Sequence, residues 1–301
     1  MIKRTLYFGN PAYLRLKDQQ LNIESRQEDE TKLATVPIED IGLLVIDHPQ
    51  ITITSGLLQL LQENNVGVIT CDTRHMPQSL LLPIEGHSTQ QERYEAQLAA
   101  SEPLKKQLWQ QTIVQKIRNQ AAVLSGVQLR SDYLVPLYKN VKSGDSDNCE
   151  ATAAAYYWQT LFKHVPGFRR LTEPDSIPPN NLLNYGYAIL RGTMARSIVC
   201  AGLLPTLGIF HRNRYNAYCL ADDLMEPYRP YVDGLVYNMV AEFGMVYEMQ
   251  KEHKALLLKI PAMDVLMEGE KSPLMNATQR TAVSLVKCFE GSQRKLIYPG
   301  I

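Results

Sequence analysis

The sequence predicts an α+β chain with a small β-rich domain at residues 1–86. A linker and first helix follow at 87–100, then a larger, mostly α-helical domain at 101–301. Three observations carry this. The spacing of apolar residues changes near Ser88 from alternation to a helical period. Loops rich in Gly, Pro and Asp (SGDSD, HVPGF, EPDSIPPN, EGEKSP) separate the long segments of the second part. A length of 301 residues is enough for one large domain or two ordinary ones.

RTLYFGNPAYLRLKDQQLNIES alternates in short runs broken by turn residues, as strands do. Leu43–Ile46 reads as a buried strand and Ile51–Thr54 as a β-branched one. SGLLQLLQENN reads as a short helix with Ser55 as its N-cap, leading into the strand VGVITCD. In the second part, Ser88 to Gln91 has the form of a capping box. Ser101 opens a long amphipathic helix with Leu104, Leu108, Ile113, Ile117, Ala121 and Leu124 near one face, closed by Ser125 and Gly126. Further helices are expected at 148–162, 181–201, 223–243 and 277–289, the last behind a box from Asn276 to Gln279.

Composition narrows the function classes. The longest apolar run, Ile198 to Phe210, is interrupted by Gly202, Pro205, Thr206 and Gly208, so no membrane span is expected. No secretory leader is expected in MIKRTLYFGNPAYL. Five scattered cysteines without a C-x-x-C pair argue against a disulfide framework or structural zinc and fit a reducing cytoplasm. Net charge is zero, but residues 1–90 hold 7 Lys+Arg against 11 Asp+Glu, and the rest hold 24 against 20. A polyanion would therefore meet the second part. Phosphate-loop, dinucleotide, nucleophile-elbow and zincin motifs are all absent.

Chemistry-bearing residues concentrate at Glu150 and at 208–230. Glu150 follows Asp147 by three residues, and Glu226 follows Asp223 likewise, so each has the form of a helix-capping box as well as of a ligand. With a helix starting at Asp223, Pro227 falls in the first turn, while Pro230 cannot donate to the Glu226 carbonyl and should kink the helix. His211 lies where an apolar stretch surfaces and reads either as a hydrogen-bonded boundary residue or as a ligand. Tyr156, Tyr157 and Trp158 point different ways on a helix, so at least one belongs to the core. Cys149 at a helix start has the form of an activated thiol, but nothing ties it to a histidine.

The segment VPIEDIGLLVIDHPQITITSGLLQLLQENNVGVITCDTRHMP resembles the CRISPR-associated adaptation integrase family. So, in order and spacing, do KIRNQAAVL, the YYW stretch after Glu150, LLNYGYAILRG, GIFH and LADDLMEPYRPYVD. The style is that of systems with a single large RNA-guided nuclease. The resemblance implies a metal-dependent integrase and endonuclease. It would insert short DNA fragments as new spacers at repeat borders by 3′-hydroxyl attack on a phosphodiester. Glu150, His211 and Glu226 would hold Mg²⁺ or Mn²⁺, with Asp223 as a nearby alternative and Asp222 also competing for the last place. Arg212, Arg214, Arg229 and Lys163 are candidate DNA contacts, with Arg169 and Arg170 beside them; Asn184 and Tyr185 would support the site or touch DNA. Implied partners are double-stranded DNA, a second copy of the chain joined through the β domain, and a small ferredoxin-like second adaptation subunit. Two other readings stay open: a metal-dependent nuclease for branched DNA in repair, and a non-catalytic DNA-binding scaffold whose acids are only helix caps.

Overall fold

The computed structural model describes residues 3–27, 30–173 and 177–301. Met1 and Ile2 of the leader reading and residues 174–176 of the EPDSIPPN loop lie outside the described residues. The chain divides into two compact units, Met1–Ser88 and Thr89–Ile301. No described helix is long and apolar enough to cross a membrane, and no disulfide joins any of the five cysteines among the described residues.

Among the described residues of the first unit, the strands and the α-helix run in the order β1 (Arg4–Phe8), β2 (Ala12–Lys17), β3 (Gln20–Gln27), β4 (Glu30–Pro37), β5 (Ile41–Ile46), β6 (Ile51–Ile53), α1 (Ser55–Glu63), β7 (Gly67–Cys71) and β8 (Pro77–Leu81). They form two four-stranded sheets ordered β1-β5-β7-β8 and β4-β3-β2-β6. β5 lies between two parallel neighbours, which explains why IGLLVI is apolar throughout rather than alternating. Lys17 pairs with Gln20 across Asp18 and Gln19, both at positive φ, the two-residue turn that suits a twisted hairpin. Leu14, Leu21, Ile41, Leu44, Leu57 and Leu61 join the core between the layers. The helix cap is Thr54, which accepts from the Leu57 amide, rather than Ser55.

The second unit holds α2 (Gln90–Ala99), α3 (Glu102–Gly126), α4 (Leu134–Lys139), α5 (Cys149–Leu161), α6 (Asn180–Cys200), α7 (Cys219–Met225), α8 (Arg229–Phe243), α9 (Lys251–Leu257), β9 (Asp264–Met267), β10 (Glu270–Pro273) and α10 (Leu274–Phe289). Ser101 caps α3 through the Leu104 amide, as its sequence position predicts. α3 packs against α4, α5, α7 and α8, so it is the post on which the unit is assembled. Its buried face carries Leu108, Ile113, Ile117 and Leu124, but also the polar stripe Thr112, Lys116, Asn119 and Gln120.

Two expectations fail here for local reasons. The hairpin β9–β10 replaces a loop at EGEKSP, because Glu268 and Gly269 both take positive φ and turn the chain in two residues. The box from Asn276 to Gln279 lies inside α10, which already starts at Leu274 behind Pro273.

Candidate functional site

Lys116 sits near the middle of α3, a position where the neighbouring helices leave only 11% of its side chain exposed. Its ammonium lies 2.6 Å from Oε1 of Glu150 and 2.6 Å from Oε2 of Glu226. Three elements thus converge on one charge. Burial alone would lower the lysine pKa, but Glu226 and Glu150 overcome it and hold the pKa above its usual value.

Glu150 stands in the first turn of α5, and it does not cap that helix. Asp145, two residues earlier than the Asp147 of the expected box, accepts from the amides of Cys149 at 2.9 Å and Glu150 at 3.0 Å. Asp147 instead pairs with Lys142 at 2.7 Å on the surface. The shift arises in a turn where Gly144, Asp145 and Asn148 all take positive φ, which leaves the Asp145 side chain under the helix start. Glu150 is thereby released from capping and projects to Lys116. Cys149 is buried, and burial raises its thiol pKa, so the activated-thiol reading fails.

Glu226 opens a short 3-10 turn, Glu226–Tyr228, between α7 and α8. Pro230 has no N–H for the Glu226 carbonyl, and the Arg229 amide takes that carbonyl instead. The expected kink is thus a tightened turn, and the second acid box does not form, since Asp223 lies inside α7 rather than at a helix start. Asn119 of α3 donates to the Pro227 carbonyl at 2.7 Å and locks the turn against the post. Arg229 donates from Nε to Oε1 of Glu226 at 2.8 Å and lies over the Tyr187 ring, 4.6 Å from its centre. Tyr187 and Tyr157 in turn donate to buried Asp233, whose carboxyl burial pushes up to about 7. Burial would also raise the Glu226 carboxyl, but the Arg229 and Lys116 charges hold it at about 2.

His211 closes the GIFH element. A Cβ at Gly208 would lie 2.6 Å from the His211 carbonyl oxygen and 2.7 Å from Oδ2 of Asp223, so the loop needs glycine for close approach. Ile209 is buried. Phe210 stacks on Trp109 of α3 with ring centres 4.2 Å apart, and Trp109 also meets His211 edge-on at 5.4 Å. Asp223 is fully buried and receives the Phe210 amide at 2.9 Å, the His211 amide at 3.3 Å and His211 Nδ1 at 2.5 Å. The Asp223 hydrogen bond raises the His211 pKa against burial, and the charges of Glu226 and Glu150 add to it. All three candidate residues therefore share one electrostatic neighbourhood.

The donor set suits a hard or borderline divalent ion: two carboxylates and one imidazole. With Nδ1 held by Asp223, Nε2 is the ring atom left for a ligand, the arrangement in which a carboxylate orients a metal-bound histidine. Oε2 of Glu226 is buried and pairs with Lys116 at 2.6 Å. Asp223 is spent on the GIFH loop, and Asp222 is clamped by Arg191 through two bonds of 2.7 and 2.9 Å and by Asn216. Both are thus poorer third ligands than Glu226. Among the described residues no three His, Cys, Asp or Glu side chains are gathered to hold an ion as they stand, and Lys116 pairs with both glutamates.

The candidate DNA contacts divide. Arg212 and Arg214 are exposed and line, with Lys105 and His211, a cavity of about 380 Å³. Arg212 pairs with exposed Glu102 at 2.6 Å, a solvent-screened bridge that a phosphate can replace. Lys163 is exposed and Asn184 half-buried. Arg229 and Tyr185 are not surface contacts for DNA: Arg229 is turned inward onto Glu226 and Tyr187, and Tyr185 is fully buried in α6, which leaves for Tyr185 the other expected role, support of the site. Tyr157 is core, while Tyr156 and Trp158 are half-buried. Sequence reasoning missed Lys116, Asn119, Asp145 and Trp109; the only signal was that two of them fall in the KIRNQ motif.

Known proteins resemble the chain along most of its length. A family model described as "CRISPR associated protein Cas1" matches residues 6–268. A CRISPR-associated endonuclease Cas1 of Neisseria meningitidis serogroup C is 37% identical over 286 residues, covering 94% of this chain and 91% of that one. Among solved structures, a casposase bound to integration product matches with a TM-score of 0.79 at 21% identity, covering 98% of this chain and 92% of that one. A chain of a Cas6-RT-Cas1–Cas2 complex matches with a TM-score of 0.74 at 18% identity, covering 99% of this chain and 36% of that one.

Proposed function

The chain belongs to the Cas1 family of CRISPR-associated proteins, and from that premise we infer that it is the metal-dependent integrase and endonuclease of CRISPR adaptation. It joins the 3′-hydroxyl of a short DNA fragment to a phosphodiester at a repeat border. The observation that carries this reading is the convergence of Glu150 and Glu226 on one ammonium, 2.6 Å from each, beside an imidazole held by Asp223. A scaffold whose acids served only as caps would not leave Glu150 uncoupled from its helix end, where Asp145 does that work.

Glu150, Glu226 and Nε2 of His211 would hold Mn²⁺ or Mg²⁺. Such an ion, when bound, polarises the phosphoryl oxygen, assists loss of the hydroxyl proton and offsets charge on the leaving oxygen. The chain's own residues do the positioning. Asp223 fixes the imidazole tautomer and ring direction. Arg229 fixes the Glu226 rotamer, and the Trp109–Phe210 stack fixes the loop that carries His211. Arg212 and Arg214, with Lys163 at greater remove, hold phosphates and set the duplex in place without reading its sequence. With water as attacker the same arrangement hydrolyses DNA. Insertion at both borders of a repeat calls for two such sites, hence a homodimer formed through the β-rich unit and bridged by a small ferredoxin-like second subunit, in the cytoplasm.

The test is a strand-transfer assay with purified chain, labelled DNA ends and a supercoiled repeat plasmid. Product is expected with Mn²⁺, and its formation is expected to stop on chelation. Equal product in both would sink the metal-dependent reading. Replacing Arg212 and Arg214 together by alanine is expected to flatten the salt dependence of DNA binding by about 0.9 in log–log slope for each phosphate that is no longer neutralised. An unchanged slope would remove both from the DNA surface. Gly208→Ala pushes against Asp223 and the His211 carbonyl, and an about hundredfold loss of strand transfer is expected with the circular dichroism spectrum intact. Wild-type rates would show that the loop yields without moving the imidazole.

A further inference from the structure

Lys116 opens the KIRNQ motif, and among the described residues its ammonium is the positive group that stands between Glu150 and Glu226, approaching one oxygen of each at 2.6 Å. Glu226 is gripped from two sides: Oε1 by Arg229 at 2.8 Å, and Oε2 by Lys116. The Oε2 contact is a 2.6 Å ion pair, and the Lys116 charge helps hold the Glu226 carboxyl below its usual value. A lysine ammonium is a compact point charge, unlike the planar guanidinium of Arg229, and it fits between two carboxylates as a small inorganic cation does. Without any cation there, two carboxylates this close, one of them buried, would repel and drift apart.

We propose that Lys116 is the resident cation of this site: its ammonium keeps Glu150 and Glu226 gathered in the metal-free chain and is displaced from between them by the arriving divalent ion. The inference rests on the reading that Glu150, His211 and Glu226 bind that ion. Arg229 stays on Oε1 throughout, so the exchange is confined to Oε2 of Glu226 and Oε1 of Glu150. Lys116 is thus a positioning residue that also sets metal affinity. Because a displaced ammonium opposes the incoming charge, the pocket binds its ion less tightly than the bare carboxylates would.

Mn²⁺ titration of the full-length chain without DNA, by calorimetry and by the electron paramagnetic resonance signal of free Mn²⁺, tests this. Lys116→Gln is expected to bind Mn²⁺ about tenfold more tightly than wild type. Lys116→Arg, which keeps the charge, should stay within about threefold of wild type. Equal or weaker binding by Lys116→Gln, or equal tightening by Lys116→Arg, overturns the proposal. Glu226→Gln separates it from its premise: if that variant binds Mn²⁺ as wild type does, the ion-site reading itself is at fault. Should Lys116→Gln fail to fold, amine-reactive labelling of wild type decides. At a Mg²⁺ concentration that calorimetry shows to be saturating, modification of the Lys116 peptide is expected to rise severalfold over the metal-free chain. No rise overturns the proposal.

Discussion

Glu150→Ala is expected to lower strand transfer from labelled DNA ends into a repeat plasmid by about a thousandfold, with Mn²⁺ present and the fold unchanged. Loss of one carboxylate from a site with three protein donors removes several kcal/mol of charge stabilisation, and each decade of rate corresponds to about 1.4 kcal/mol. The fold survives because Asp145, not Glu150, accepts the first amides of α5. Lys116 also keeps Glu226 as its partner. Paired measurements of rate and melting temperature check both halves of this statement. A rate within tenfold of wild type would return the acids to a purely architectural role.

Glu226→Ala is expected to do something Glu150→Ala does not: unfold the chain more readily. It leaves two cations, Lys116 and Arg229, facing each other in a nearly closed pocket without their shared carboxylate. Breaking a buried pair from one side costs about 3–5 kcal/mol. The same group gives the wild type an acid-sensitive component. The Glu226 carboxyl titrates at about 2 in the fold against an ordinary value of 4.5, so its ionised form is the one the fold stabilises. That stability is complete above pH 4.5 and drains away as pH falls toward 2, a loss of about 3 kcal/mol. Urea midpoints measured across this window should show the slope in wild type and a flatter profile in Glu226→Gln. Parallel profiles would mean that other carboxylates carry the acid sensitivity.

Much of the architecture was legible because it is local. IGLLVI is apolar at every position, as a strand between parallel neighbours has to be, and Ser101 opens a helix whose apolar spacing persists to Leu124. Glu150, His211 and Glu226 were legible only through resemblance; as bare residues they looked like two caps and a boundary histidine. The caps were misread for a physical reason. A turn with Gly144, Asp145 and Asn148 at positive φ changes which aspartate lies beneath α5, and a 3-10 turn replaces the regular helix that an acid box at 223–226 assumes. Lys116 was invisible in a different way. A lysine at helical spacing looks like solvent-facing charge, and its partners stand 34 and 110 residues further along the chain.

The stack of Phe210 on Trp109 gives the molecule a spectroscopic handle. The chain has only two tryptophans, and the other, Trp158, lies on α5 among Tyr157, Phe162 and Phe168. Replacing Trp158 by phenylalanine would leave a single indole in face contact with the GIFH loop and edge contact with its imidazole. Emission from that one ring would then follow the loop in real time, in solution and without any attached dye.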